Sequence, residues 1–189
     1  MATNALLPNE QQIVACTLSF ANLRPIASAE EVERPFEKIK KSFPIGFQTK
    51  PLAYYQNLQP QVLRWLERIV SEGKTNEEKE MERRKVAVEI GRPLLDVHAY
   101  LLFSKRKLQL DYRITDVMTG CLVGIALILD ESRGQVDRLQ RCGYSNCRLF
   151  NFDFNPRGRP RKFCSQDHKR RFDNETSWKR QKTFRSKSA

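Results

Sequence analysis

Three observations predict a mainly α fold with a minor β component, of the α+β class. Apolar residues recur at helical spacing from Val32 to Leu129, one stretch from Leu108 to Ile114 alternates, and the last quarter concentrates cysteine and positive charge. Of the 189 residues 40% are hydrophobic, enough to bury a core, which argues against wholesale disorder. The expected layout is a mostly helical body over residues 1–140, with a β-hairpin near 100–114, and a small basic module over 141–189.

Taken in order, Val32, Phe36, Ile39 and Phe43 fall on one helix face, with Pro35 tolerable near the first turn and Pro44 and Gly46 ending the segment. From Gln61 to Glu72 the face is Val62, Trp65, Leu66, Ile69 and Val70, and Gly73 supplies a stop. The nearly all-charged run Thr75 to Arg84 reads as an exposed loop passing into a helix start. From Ala99 the period changes. Tyr100 to Phe103 is apolar, Lys105-Arg106-Lys107 is a polar break, and Leu108, Leu110, Tyr112 and Ile114 alternate with polar residues, which predicts a hairpin. Asp116 caps an apolar helix from Val117 to Leu129, and Asp130 to Gly134 breaks it. That helix has 13 residues, where a bilayer span takes about 20, so it reads as the centre of the body's core and no membrane span is expected. Cys16 and Cys121 sit among apolar neighbours and read as buried small hydrophobes. His98, beside Asp96 and Tyr100, reads as a core or partly exposed histidine rather than a catalytic one.

Charge divides the chain. The formal total is +12, from 34 Lys+Arg and 22 Asp+Glu. Residues 141–189 hold 14 Lys+Arg against 4 Asp+Glu, and residues 1–140 hold 20 against 18. The body is nearly neutral and the module carries +10, which points to a polyanionic partner. The amino terminus lacks a signal-peptide pattern. A reducing, cytoplasmic setting is therefore expected, where clustered cysteines read as metal ligands rather than disulfides.

The module places four residues between Cys142 and Cys147, then three between Cys164 and His168. Zinc takes four thiolate or imidazole ligands in a tetrahedron. The first spacing folds a turn that can aim both sulfurs at one ion. The second places its pair one helical turn apart on one face. Between them Phe150, Phe152 and Phe154 alternate with Asn151 and Asp153, Asn155 to Gly158 offers a turn, and Arg161-Lys162-Phe163 can run back as the second strand. Knuckle, hairpin and ligand-bearing helix form a treble-clef-like arrangement. A module this small needs the metal for its stability. Cys142, Cys147, Cys164 and His168 close the tetrahedron, so one structural Zn²⁺ is expected. With no Gly-rich phosphate loop or nucleophile elbow, the chain is not expected to be an enzyme.

Leu139-Gln-Arg-Cys142, Cys147-Arg-Leu-Phe150, Arg161-Lys-Phe-Cys164-Ser165 and the basic helix beyond resemble the CGNR-type zinc finger proteins of bacteria. The resemblance is specific over roughly residues 108–180. In that family the fourth ligand is usually cysteine, often followed by Gly-Asn-Arg; here His168 and Lys169-Arg170-Arg171 stand there, as in a diverged relative. The resemblance implies a nucleic-acid-binding or transcription-regulating role.

The helix after His168 is suited to tracking phosphates. Arg157, Arg159, Arg161, Lys162, Lys169, Arg170, Arg171, Asn174, Lys179, Arg180 and Lys182 are the candidate nucleic-acid contacts, with Asn and Arg able to read base edges. Trp178 and Phe184 either stack on bases or pack on the body. The expected function is a cytoplasmic DNA-binding transcription regulator, DNA favoured over RNA, whose body takes a small-molecule or protein effector. The alternatives are an RNA- or ribosome-associated zinc interaction module, or a protein–protein adaptor without nucleic acid.

Overall fold

The computed structural model describes residues 6–23, 26–37, 39, 47–94, 99–104, 107–112, 114–130, 136–155 and 159–187, the strands of 99–112 and residues 179–187 by backbone alone. The fold is mainly helical, with two short antiparallel strand pairs among the described residues and a Cys/His cluster near the C-terminus.

Helix α1 (Pro8–Asn22) opens the chain, an element the spacing of apolar residues did not disclose. Pro8 stands at its start, where a missing N–H costs nothing. Glu10, fully buried, reaches back to accept the Leu7 N–H at 2.7 Å. A short turn follows, α2 (Ala29–Glu33) running into a 3₁₀ turn at Arg34–Phe36, with Ser28 accepting the Glu31 N–H at the N-cap. Val32, Phe36 and Ile39 are buried as expected. Phe43, Pro44 and Gly46 lie outside the described residues, as do His98 and 131–134 of the expected break.

Helix α3 (Leu52–Val70) buries Val62, Trp65, Leu66 and Ile69, as the spacing predicts, but begins well before Gln61 and carries Pro60 inside it. Tyr55 and Leu58, also buried, hold the earlier turns to the core and override the proline. The stop is made at Ser71, in the left-handed region at φ 42°, and Gly73 at φ 79°.

The helix expected to start within Thr75 to Arg84 begins at once, since α4 spans Asn76–Leu94 and leaves no loop beyond Thr75. Thr75 and Glu78 form a reciprocal cap: the Glu78 N–H donates to the Thr75 hydroxyl at 3.3 Å, and the Thr75 N–H to the Glu78 carboxylate at 2.7 Å. The run's charges lie on the outer face and its ties to α3. Arg68 pairs with Glu82 at 2.9 Å and Glu89 at 2.6 Å, and the Trp65 indole donates to Glu89 at 3.0 Å.

Strands β1 (Ala99–Ser104) and β2 (Lys107–Tyr112) pair antiparallel, Leu101 opposite Leu110 and Ser104 opposite Lys107. Lys107 therefore belongs to the second strand rather than the break. Asp116 caps helix α5 (Val117–Leu129), accepting the Thr119 N–H at 2.7 Å, and α5 is buried along most of its length. Helix α1 packs directly on it. Gly124 allows the approach, since a Cβ there would stand 2.1 Å from the Thr17 hydroxyl oxygen. Cys16 and Cys121 are buried here, as predicted.

After a 3₁₀ turn at Val136–Arg138, β3 (Leu139–Arg141) pairs antiparallel with β4 (Phe150–Phe152), and α6 (Gln166–Lys187) closes the chain. Leu139, Phe150 and Phe152 are buried in the same apolar core as α1 and α5. The core is thus continuous across residue 140. Among the described residues no helix is long and apolar enough to cross a membrane.

Candidate metal centre

The pairing of β3 with β4 positions the first ligand pair. The Cys142 N–H donates to the Leu149 carbonyl at 3.0 Å, extending the ladder one step, and Cys147 to Tyr144 at 2.9 Å closes the turn between the two cysteines. The knuckle is therefore the tip of the hairpin. The expected partner of β4 was Arg161 to Phe163, which forms no strand. Leu139 decides the pairing, because this register places it opposite Phe152 and buries both.

The segment from β4 to the third ligand is gathered by Asp153, which is buried. Its carboxylate accepts the Asn155 N–H and the Arg161 N–H, both at 3.2 Å, and lies 3.6 Å from the Arg138 guanidinium. The Gly143 N–H then donates to the Lys162 carbonyl at 2.8 Å, drawing the approach to Cys164 against the knuckle.

The second pair is not borne on a helix throughout. Cys164 precedes α6, and His168 lies in its first turn. Ser165 is the reason: its hydroxyl accepts the His168 N–H and its carbonyl the Lys169 N–H, both at 3.2 Å, so the helix starts between the two ligands.

All four ligand atoms lie within 4.8 Å of one another. Two sulfurs each about 2.3 Å from one ion at tetrahedral angles stand roughly 3.8 Å apart, and a sulfur and an imidazole nitrogen roughly 3.6 Å. Cys147 and Cys164 are 3.7 Å apart, and Cys142 lies 3.6 Å from His168 Nδ1; Cys164 is closer to that nitrogen, at 2.9 Å. Burial pushes the Cys142 thiol up, but N–H groups of Cys164 and Tyr144 and the neighbouring thiols outweigh it and hold it below its usual value. Cys164 is pushed up to about 12 by burial and by Cys142 and Cys147 beside it. Thiols this close resist ionising together, and a divalent cation between them removes that penalty. The donor set and spacing fit a single metal ion.

Tyr144 completes the site. Its ring stacks on His168 with centroids 5.2 Å apart and planes 23° apart, and its hydroxyl donates to Glu175 at 3.1 Å. It had no motif signal beyond lying between two cysteines. Phe172 packs on Phe163, with ring centroids 5.2 Å apart, while Phe150 and Phe152 are buried in the core.

Of the candidate nucleic-acid contacts, Lys169, Arg170, Arg171 and Asn174 are exposed on α6, and Arg159, Arg161 and Lys162 are exposed before it. Arg161 is partly occupied by Asp153, 3.8 Å away, and Lys162 lies over the Phe172 ring at 4.9 Å. Arg157 lies outside the described residues. Lys179, Arg180 and Lys182 are on α6, as is Phe184, all described by backbone alone, and Trp178 is 61% exposed. No protein-family model, curated protein or solved structure matches the chain.

Proposed function

We propose that the chain is a zinc-dependent nucleic-acid-binding protein, a DNA-binding transcription regulator diverged from the CGNR-type zinc finger proteins. One observation carries the reading: the fourth ligand, His168, lies in the first turn of a 22-residue helix whose next three residues, Lys169, Arg170 and Arg171, are all exposed. The metal site thereby fixes the orientation of a basic helix about 33 Å long.

Three thiolates and an imidazole favour zinc over the harder divalent ions, and four protein ligands make it structural. When bound, zinc supplies a fixed, redox-inert cross-link. The chain's own residues do the rest. Tyr144 holds the His168 ring, Ser165 starts the helix, and the arginines of α6 take phosphates, each contact releasing counterion. Cys142→Ser should lose about one equivalent of zinc, read by metal analysis; full retention overturns the ligand set.

Binding is tested by gel retardation across a salt series with duplex DNA, single-stranded DNA and structured RNA. Duplex preference is expected. Arg170→Ala with Arg171→Ala should flatten the salt slope by about 0.9 per lost duplex contact, with zinc content unchanged. Preference for RNA replaces the DNA reading with the ribonucleoprotein one. Absence of binding to all three at low salt overturns both.

A further inference from the structure

A cleft of about 750 Å³ lies where the knuckle meets the turn between α3 and α4, with no α6 residue in its lining. Its volume is within the range of about 300–1,000 Å³ that suits a small ligand or a segment of a larger one. The body contributes Lys79 and Arg83 to its lining, and the module contributes Arg141, Arg148 and Lys162. Two acids, Glu72 and Asp137, face them. Arg83 already pairs with Asp137 at 2.7 Å, and Arg141 with Glu67 outside the cleft. Among the described residues, Lys79, Arg148 and Lys162 pair with no carboxylate. Cations stay in excess even when the single net negative charge of three thiolates on a divalent ion is counted.

The lining also says what is recognised. Tyr144 is its aromatic residue, and it is 8% exposed, with one face on His168 and its hydroxyl on Glu175. It offers no open ring for a base. Cations without a stacking platform suit phosphate, a contact that fixes register without reading sequence.

We propose that this cleft holds the phosphodiester backbone of the nucleic acid that α6 binds, with Lys79 of the body as a direct phosphate contact. The inference rests on the nucleic-acid reading above. It adds that the body is part of the interface, so that knuckle, body and basic helix grip one strand together.

The test compares full-length zinc-loaded Lys79→Ala with Arg84→Ala, which removes an equal charge from the exposed side of the same helix, 75% exposed and outside the cleft. Lys79→Ala should lower the salt slope on duplex by about 0.9 and affinity at 0.1 M salt roughly eightfold, with zinc content and melting temperature unchanged. Lys79→Arg should restore binding, and Arg84→Ala should behave as wild type. Equal effects of Lys79→Ala and Arg84→Ala, or an unchanged slope, overturn the cleft while binding lost on the α6 arginines keeps the nucleic-acid reading. If Lys79→Ala weakens a nucleoside triphosphate but not nucleic acid, the cleft serves a free nucleotide and the proposal fails. A wild-type protein that binds no nucleic acid ends both.

Discussion

Asn22 and Phe150, 128 positions apart, exchange two hydrogen bonds: the Asn22 side-chain amide donates to the Phe150 carbonyl at 2.9 Å and accepts the Phe150 N–H at 3.0 Å. The last residue of α1 thus serves β4 as a neighbouring strand would, satisfying both backbone groups on its open edge. The strand that sets the metal knuckle is thereby tied to the first helix.

Asn22→Ala should remove both bonds and lower stability by about 1–3 kcal/mol, seen as a lower urea midpoint with the slope of unfolding unchanged. Asn22→Asp keeps the acceptor and loses the donor, so its midpoint should fall between the two. An alanine variant as stable as wild type would show that water replaces the amide at no cost.

Close packing of α1 on α5 makes Gly124 sensitive to one methyl group. A Cβ there would lie 2.1 Å from the Thr17 hydroxyl oxygen and 3.0 Å from Thr17 Cβ. Gly124→Ala should destabilise by about 1–3 kcal/mol through overpacking. Thr17→Ala in that background should return part of the loss, so the two effects will not add in a denaturation cycle.

Tyr144 tests whether the ring against His168 matters to the metal. Tyr144→Ala should weaken metal affinity about 10- to 100-fold, measured by competition with a chromophoric chelator. Tyr144→Phe keeps the stacked ring, loses only the bond to Glu175, and should stay close to wild type. Equal losses in both variants would place the effect in the hydroxyl rather than the stack.

Acid sensitivity should follow Glu82. Its hydrogen bonds to Arg68, at 2.9 Å, and Lys85, at 3.1 Å, bring its carboxyl down from 4.5 to about 2. Between those values the unfolded chain binds more protons than the folded one, so stability is fully present above about 4.5 and is lost as pH falls toward 2. Glu82→Gln should be less stable than wild type at neutral pH, with the two midpoints converging below pH 3. Parallel curves throughout would mean that Glu82 is not the group responsible.

The four ligands were legible because donor chemistry and spacing are local properties of sequence. So was α5, whose apolar run and Asp116 cap lie within one segment. Helix α1 was not, because its broad buried face includes Glu10 and Thr17, polar residues that interrupt the apolar pattern. Thr75 and Glu78 carried the spacing of a capping box, a signal masked by the surrounding charge. Pro60 hid the first half of α3, since a proline's cost inside a helix is visible in sequence and the burial of Tyr55 and Leu58 that offsets it is not. Tyr144, Asp153 and Asn22 act through partners that only the fold brings near.

The start of α6 between Cys164 and His168 makes the metal and the helix reciprocal ligands of one another. Cys164 directly precedes the N-terminal end of α6, whose positive macrodipole end favours an ionised thiol beside it. An ion bound by the four ligands would in turn fix the first turn, the costly nucleus from which a helix grows. Whatever strengthens α6 along its length must then tighten the grip on the metal by the same factor with which the metal orders α6. A polyanion that ordered the far end of that helix would raise the affinity for a metal ion at its near end.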